Sequence, residues 1–405
     1  MILSIFHLVG KGKSEGVEIE LNQFFKNAER SGLWNRGEAA TRGAFSKRRN
    51  KISPQAFHDI HQKAVQISLD LWPDRPADTW KGFSVYAIDG SKFTLPATKE
   101  IRMKYDPASG LQQPGKGHYP QCLVSTLYDV FRRLPIARTV CPLDASEREE
   151  ALKLIPYLPE NGLMLYDRGY PSYRMLYAHL METPTHFVMR CPASHTFPAI
   201  VQFAQSGNEE AILDIPLPKK AWNIVSQSIP NQIPSLRLRV IRMEDPEGHP
   251  SVLITDLLDV QTYTREALID LYYKRWRIEM YYKEEKIVLD VESFHSRTEN
   301  GILQELYAAM TMTIISRVMA AFTESIYNLP AEQVQAKNAI IALAQEAALL
   351  APDCPDKTLE IFMALLDLMH RVKYYRSKKK RPSQPRITKK NHNKWISNRK
   401  IPAPS

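Results

Sequence analysis

The sequence of 405 residues has little cysteine: Cys122, Cys141, Cys191 and Cys354 are the only four, and no two of them form a C-x-x-C pair. Zinc ribbons take their ligands from such pairs, and disulfide-stapled domains need a denser set of cysteines. The scarcity therefore argues against both classes and predicts reduced, packed thiols.

Long apolar runs are also missing. No stretch approaches the roughly 18 consecutive apolar residues of a membrane-spanning helix. The opening MILSIFHLVG lacks the basic region and the small-residue cleavage site of a signal peptide. With 44% hydrophobic residues the chain suits a globular protein of two or three domains. We therefore expect a cytoplasmic protein without a membrane partner.

Acidic residues are absent from the last 35 positions, Arg371 to Ser405, which hold 13 lysines and arginines. Of the net charge of +10 this tail supplies +13, so the other 370 residues carry −3. Tyr374, Tyr375 and Trp395 stand among the cations, a composition that suits phosphate backbones and base stacking. A merely solubilising tail is the alternative, and nucleic-acid contact is the interpretation that we favour.

An acid stands in an unusual place in the segment YYKRWRIEMYYKEEK, residues 272–286. On a helix of about 100° per residue, Tyr272, Arg275, Glu279 and Lys286 share one stripe. Apolar residues are predicted on both sides of this stripe: Trp276, Met280 and Ile287 on one side, and Leu271, Ile278, Tyr282 and Leu289 on the other. The opposite side is predicted to be the solvated face, with Lys274, Arg277, Glu284 and Glu285.

An exposed ion pair between Arg275 and Glu279 would be the ordinary interpretation, worth a few tenths of a kcal/mol. Such a pair belongs on the polar side of a helix, however. A carboxylate flanked by apolar residues must be paired or bound to a metal to offset its desolvation. We therefore expect a functional site at Glu279, provided that other acids converge on it, and we expect Trp276 to be a core residue.

Two such acids close apolar strands between residues 83 and 191. FSVYAIDGSKFTLP is predicted to be a strand with a turn at Asp89–Gly90, and NGLMLYDRGY a strand that Asp167 ends. The element order βββαβαβ predicts an α/β fold, with a mixed sheet and helices on its faces. In such sheets polar chemistry gathers at strand ends beside a cleft.

The two acids and the Y-x2-R-x3-E-x6-K spacing of residues 272–286 together resemble the DDE transposases of bacterial insertion sequences, specifically the insertion-sequence-four family. The resemblance covers about residues 80 to 310 and is specific, because both acids occur in order with a β-rich insertion between them and the spaced motif. It implies a ribonuclease H-like fold. It also implies a catalytic site in which Asp89, Asp167 and Glu279 bind Mg²⁺ or Mn²⁺, as two ions.

Further roles follow from the resemblance. It implies that Tyr272, Arg275 and Lys286 contact the transposon-end strand near the scissile phosphate, and that Arg190 of FVMR also contacts DNA. It makes Trp222, in the insertion, the candidate for stacking on a flipped base during hairpin formation.

Two residues next to Asp167 have a different expected role. Arg168 and Tyr170 of DRGYPSY are expected to orient the Asp167 turn, because neighbours of a metal ligand often support the ligand from a second shell.

The predicted organisation has six parts. They are a helical N-terminal DNA-contacting region (1–80), the first part of a ribonuclease H-like catalytic core (81–191), a β-rich insertion (192–260), core helices that carry the Tyr-Arg-Glu-Lys motif (261–330), C-terminal helices (331–370) and the basic tail (371–405).

The function implied is that of a transposase that binds terminal inverted repeats in double-stranded DNA, pairs two ends as a homodimer and cleaves them by metal-dependent hydrolysis. It would join the 3′ ends to target DNA by cut-and-paste movement, with a hairpin as one route, in the bacterial cytoplasm at the nucleoid. One alternative is a catalytically silent, domesticated DNA-binding protein, against which the intact acidic triad argues. The other is a different ribonuclease H-like nuclease, which the Tyr-Arg-Glu-Lys spacing disfavours.

Overall fold

The computed structural model describes most of the first 373 residues. The described ranges are 1–11, 16–30, 32, 34–35, 37–73, 75–106, 119–183, 185–216, 235–244, 249–330, 334–346 and 355–373. Trp222 and residues 374–405 of the predicted basic tail lie outside them.

Eight strands form one mixed sheet in the order β3-β2-β1-β4-β5-β8-β7-β6. The strands are β1 (Ser84–Thr94), β2 (Gln121–Asp129), β3 (Leu134–Pro142), β4 (Gly162–Tyr166), β5 (His186–Pro192), β6 (Glu210–Pro216), β7 (Ser235–Glu244) and β8 (Pro250–Thr255). β1, β2 and β3 form an antiparallel meander, and β4 and β5 run parallel to β1. This arrangement confirms the predicted α/β fold, and its first five strands have the order expected of a ribonuclease H-like core.

Thirteen α-helices occur in the described part of the chain. They are α1 (Ile2–Lys11), α2 (Val17–Arg30), α3 (Arg42–Arg49), α4 (Pro54–Leu71), α5 (Lys99–Tyr105), α6 (Glu147–Leu152), α7 (Tyr173–Tyr177), α8 (Pro198–Ser206), α9 (Arg265–Tyr273), α10 (Arg277–Ile287), α11 (Glu299–Ile326), α12 (Ala336–Glu346) and α13 (Pro355–Arg371).

The strands of the segment predicted as a β insertion continue the same sheet. β8 pairs antiparallel with β5, and β7 and β6 follow it outward. The further predicted strand, WNIVSQS at 222–228, lies outside the described residues.

β1 runs without interruption through Asp89 and Gly90, so the predicted turn there is wrong. The reason is the neighbouring strand: β2 pairs with β1 along its length, with Asp89 opposite Thr126 and Gly90 opposite Ser125. Asp and Gly favour turns locally, but a full ladder of backbone hydrogen bonds outweighs that preference.

Helix α11 lies at the centre of a group of packed helices. By length and composition it is apolar enough to cross a membrane, but 83% of its most apolar stretch of 18 residues is buried inside the protein. Helices α1, α4, α12 and α13 pack around it. Buried Arg49 ties the N-terminal helices to its first turns, with a 2.8 Å ion pair to Glu305 and a 2.8 Å hydrogen bond to Gln304.

Candidate active site

Three of the predicted site residues lie in one row across the middle of the sheet. The parallel pairing of β1 with β4 ends at Ala87 and Leu165, and Asp89 and Asp167 each lie two residues beyond. The pairing of β4 with β5 ends at Tyr166 and Met189, so Arg190 is the next residue beyond it. Because neighbouring strands are about 4.8 Å apart and side chains alternate between faces, the row places both acids and Arg190 on the same side of the sheet.

Helix α10 covers that side of the sheet and carries Glu279. Ile278 and Tyr282 of α10 belong to the same core cluster as Ala87 and Leu165, which lie on the face of the two acids. The Tyr282 hydroxyl lies 2.7 Å from the carbonyl oxygen of Asp89 itself and 3.0 Å from that of Val124. The helix is therefore fastened to the strand segment that presents Asp89.

A buried ion pair fixes the rotation of α10. The Arg138 guanidinium, on β3, donates to both carboxylate oxygens of Glu285 at 2.9 and 2.7 Å, and to the Tyr281 hydroxyl at 3.2 Å. Both charged side chains of the pair are fully buried. The prediction that Glu285 lies on a solvated face is wrong, because the buried arginine requires a carboxylate turned inward.

The other members of the predicted solvated face are also engaged. Glu284 accepts from Arg317 at 2.5 Å, and Arg277 donates to the carbonyl oxygen of Val130 at 3.0 Å. The face of α10 that points to solvent is instead the one with Trp276, Met280 and Ile287, whose exposed fractions are 50%, 49% and 62%. The expectation that Trp276 is a core residue is therefore wrong.

Tyr272, Arg275, Glu279 and Lys286 thus lie along the boundary between the buried and the exposed faces. The helix is not continuous there: α9 ends at Tyr273, a 3₁₀ turn runs over Lys274–Trp276, and α10 begins at Arg277. A boundary position keeps side chains ordered by the core and still within reach of a substrate.

Arg275 and Glu279 form an ion pair, with Nη2 of the arginine 2.7 Å from Oε1 of the glutamate. The arginine is almost buried, the glutamate is about one-third exposed, and Arg275 Nη1 has no hydrogen-bond acceptor in the described part of the chain. Tyr272 is buried beside them, and its burial raises its pKa to about 12. The Tyr272 hydroxyl therefore stays protonated and able to donate a hydrogen bond.

Lys286 lies at the other end of the motif, over the end of β1. Its Nζ donates to the carbonyl oxygen of Lys92 at 2.6 Å and stands 4.7 Å from the centre of the Phe93 ring. Arg190 is held by a hydrogen bond from its Nε to Ser251 Oγ at 2.8 Å.

The three predicted metal ligands act on one another electrostatically. The pKa of Asp89 is raised to about 7: burial is the main cause, Arg275 opposes it, and the Asp167 and Glu279 carboxylates add to it. Asp167 accepts a 2.7 Å hydrogen bond from the Gly169 amide, which holds its carboxylate at the end of β4. Negative charge is thus crowded at Asp89 with Arg275 as a counterion.

The donor set fits a hard divalent cation. Three carboxylates supply the oxygen ligands that Mg²⁺ and Mn²⁺ prefer, and a cation would offset the burial and the carboxylate repulsion that together raise the pKa of Asp89. Within the described ranges no three acidic, histidine or cysteine side chains already enclose one ion position. Arg275 holds one oxygen of Glu279, Oε1, and exchange of this ion pair would give both carboxylate oxygens to a cation.

The residues predicted to support Asp167 differ in their environment. Arg168 is exposed, whereas Tyr170 is buried with its ring 5.4 Å from that of Tyr166. The Tyr170 amide donates to the Asp167 carbonyl oxygen at 3.3 Å, so this residue is part of the turn. Sequence reasoning missed the pair of Arg138 and Glu285, because the two residues are 147 positions apart and no local pattern links them.

Comparison with known proteins identifies relatives of this chain. Residues 80–315, more than half of the chain, match the family model of the transposase DDE domain. The transposase InsG for insertion sequence element IS4 of Escherichia coli (strain K12) is 25% identical over 266 residues, which cover 65% of this chain and 57% of InsG. The probable transposase for insertion sequence element IS5377 of Geobacillus stearothermophilus is 28% identical over 81 residues, 20% of this chain and 21% of that protein.

The chain therefore spans just over half the length of InsG and a smaller share of the IS5377 protein. Among solved structures, it is similar to the piggyBac transposase in a synaptic complex with hairpin DNA, with a TM-score of 0.38 and 11% identity over 70% of this chain and 57% of that one.

Proposed function

Because this chain belongs to the DDE transposase family, of the IS4 type, we propose that it cleaves the ends of its own insertion sequence and joins them to target DNA. The observation that carries the proposal is that Asp89 and Asp167 lie level with each other, each two residues beyond the last paired residues of β1 and β4, on the side of the sheet covered by the helix that bears Glu279. Their electrostatic coupling supports a common site.

We propose that Asp89, Asp167 and Glu279 hold two divalent cations, Mg²⁺ or Mn²⁺. When bound, a pair of such ions supplies an activated water or 3′-hydroxyl and stabilises the leaving oxygen of an in-line displacement. The protein side chains fix the carboxylates for this task. The Asp89 strand is held by Tyr282, and the Asp167 carboxylate by the Gly169 amide.

The cations of the motif would bind the DNA backbone. Arg275 is nearly buried, so most of its side-chain conformational entropy is already lost. Contact with a DNA phosphate would therefore cost little further entropy. Release of Arg275 from Glu279 would free a guanidinium edge for that phosphate while Glu279 turns to the metal. Arg190 lies in the row with the two aspartates, Lys286 lies over the end of β1, and Tyr272 can donate a hydrogen bond to a phosphate oxygen.

The finer steps of the proposal are recognition of terminal inverted repeats, pairing of two ends by a homodimer, and cut-and-paste movement with a hairpin as one route. Trp222 is proposed as the base-stacking residue of that route. The place of action is the bacterial cytoplasm, at the nucleoid.

The test is cleavage of a labelled duplex that carries the terminal repeat of the element, in Mg²⁺, Mn²⁺ or EDTA. We expect metal-dependent cleavage at the repeat boundary that is lost in Glu279→Gln and in alanine variants of Asp89 and Asp167, with end binding retained. Glu266→Gln is the matched control, because this substitution removes the same carboxylate charge from an exposed position in the first turn of α9. Binding without cleavage in every metal would favour a silent DNA-binding protein, and cleavage without preference for the repeat would favour a general nuclease.

A further inference from the structure

A fourth carboxylate, that of Glu147, lies beside the proposed metal site. We propose that Glu147 joins Asp89, Asp167 and Glu279 in binding the divalent cations, an inference that rests on the proposed function and adds a ligand to it. Glu147 is the first residue of α6, the helix between β3 and β4, and it is exposed.

Gly90, the residue after Asp89 on β1, shows how close Glu147 comes to this strand. A side chain at position 90 would point to the face opposite to that of Asp89, so Glu147 approaches from that face, beyond Ala87, where β4 no longer pairs with β1. A Cβ atom placed on Gly90 would lie 3.0 Å from Cδ and 3.1 Å from Oε1 of Glu147. The Glu147 carboxylate therefore occupies the space that a side chain at position 90 would fill. Glycine at this position lets a carboxylate from another element approach the strand that carries Asp89.

The start of α6 is also fastened to the Asp167 turn. The Ser146 hydroxyl caps the helix by accepting from the Glu149 amide, and Arg148 Nε donates to the Gly169 carbonyl oxygen at 2.8 Å. The Gly169 amide in turn binds the Asp167 carboxylate. Through these two bonds the backbone that carries Glu147 is held close to the turn that carries Asp167.

The charges around Glu147 agree with this placement. Partial burial and the Asp167 carboxylate raise the pKa of Glu147, and Lys92 opposes them. The Asp167 carboxylate thus lies within electrostatic range of Glu147, and a cation between the two would stabilise both.

An independent observation points to a ligand at the same place. The Tyr170 hydroxyl is buried and has no hydrogen-bond partner in the part of the chain that the structure describes. It lies within electrostatic range of Asp89, Glu147 and Asp167. A buried hydroxyl without a partner is unfavourable, and an oxygen ligand brought into this cluster would satisfy it.

The experiment titrates Mn²⁺ into the full-length chain and monitors binding through the relaxation rate of water protons. It compares the wild type with Glu147→Gln and Glu147→Asp. If the Glu147 carboxylate binds the ion directly or through water, we expect the Mn²⁺ affinity of Glu147→Gln to be about 10- to 100-fold weaker than that of the wild type. The affinity of Glu147→Asp should lie between these two values. Glu149→Gln is the matched control on the same turn, since Glu149 is exposed and its amide caps the helix independently of its side chain.

Unchanged Mn²⁺ affinity in Glu147→Gln would overturn the inference while leaving the three-acid site intact. An equal loss in Glu149→Gln would also overturn it, because the effect would then be one of general surface charge. If the wild type neither binds Mn²⁺ nor cleaves repeat DNA, the proposed function fails and the role of Glu147 fails with it. Thermal unfolding of each variant verifies that the fold is retained.

Discussion

The buried pair between Arg138 and Glu285 is the contact that sets which face of α10 meets the sheet, and it makes a quantitative prediction. Replacing Glu285 with glutamine leaves the Arg138 charge fully buried without a counterion. Removing one partner of a buried pair costs about 3 to 5 kcal/mol. We expect Glu285→Gln, and separately Arg138→Met, to lower the free energy of unfolding by about this amount.

The double variant Arg138→Met with Glu285→Leu should lose much less. It removes both charges together, and well-packed apolar replacements of buried ion pairs are often neutral or stabilising. Tyr281 and Thr126 lose the arginine as a hydrogen-bond donor, since Arg138 Nε also donates to the Thr126 hydroxyl at 3.1 Å. At about 1 kcal/mol for each lost hydrogen bond, the double variant should lie within about 2 kcal/mol of the wild type.

Urea unfolding followed by tryptophan fluorescence measures these differences as shifts of the midpoint at constant slope. The exposed pair between Arg174 and Glu182, with side chains 30% and 43% exposed, is the control and should contribute no more than about 1 kcal/mol. The reasoning is refuted if Glu285→Gln costs as little as Glu182→Gln, or if the double variant loses the sum of the two single losses.

Two other predictions concern the surfaces of the chain. Truncation after Lys373 should weaken binding to all duplexes alike and flatten its salt dependence, because phosphate contacts carry no sequence information; selective loss of one sequence in filter binding at several salt concentrations would contradict this. Trp276→Ala should change the free energy of unfolding by less than about 0.5 kcal/mol, whereas Ile278→Ala should cost about 2 to 5 kcal/mol in urea unfolding. A large loss of unfolding free energy in Trp276→Ala would show that Trp276 packs in the core and would contradict this prediction.

The order of the elements along the chain and the position of the two aspartates level with each other could be predicted because their signals are local. An apolar run followed by an acid is visible within about six residues, and neighbouring parallel strands bring such positions to the same level of a sheet. The rotation of α10 could not be predicted in the same way, because its sequence has apolar residues on several sides. Trp276 and Ile278 are both apolar, and what decides between them is the buried Arg138 on a distant strand.

The ion pair between Arg275 and Glu279 shows why a local pattern can support two interpretations at once. The ordinary i,i+4 pair is present at 2.7 Å, yet it lies beside Asp89 rather than on a fully solvated face. Because Glu279 is about one-third exposed, solvent screening limits the pair to no more than about 1 kcal/mol. A bond of that strength keeps Glu279 ordered without competing seriously with a divalent cation. Such a pair is therefore compatible with a metal ligand that exchanges its partner when the cation and DNA bind.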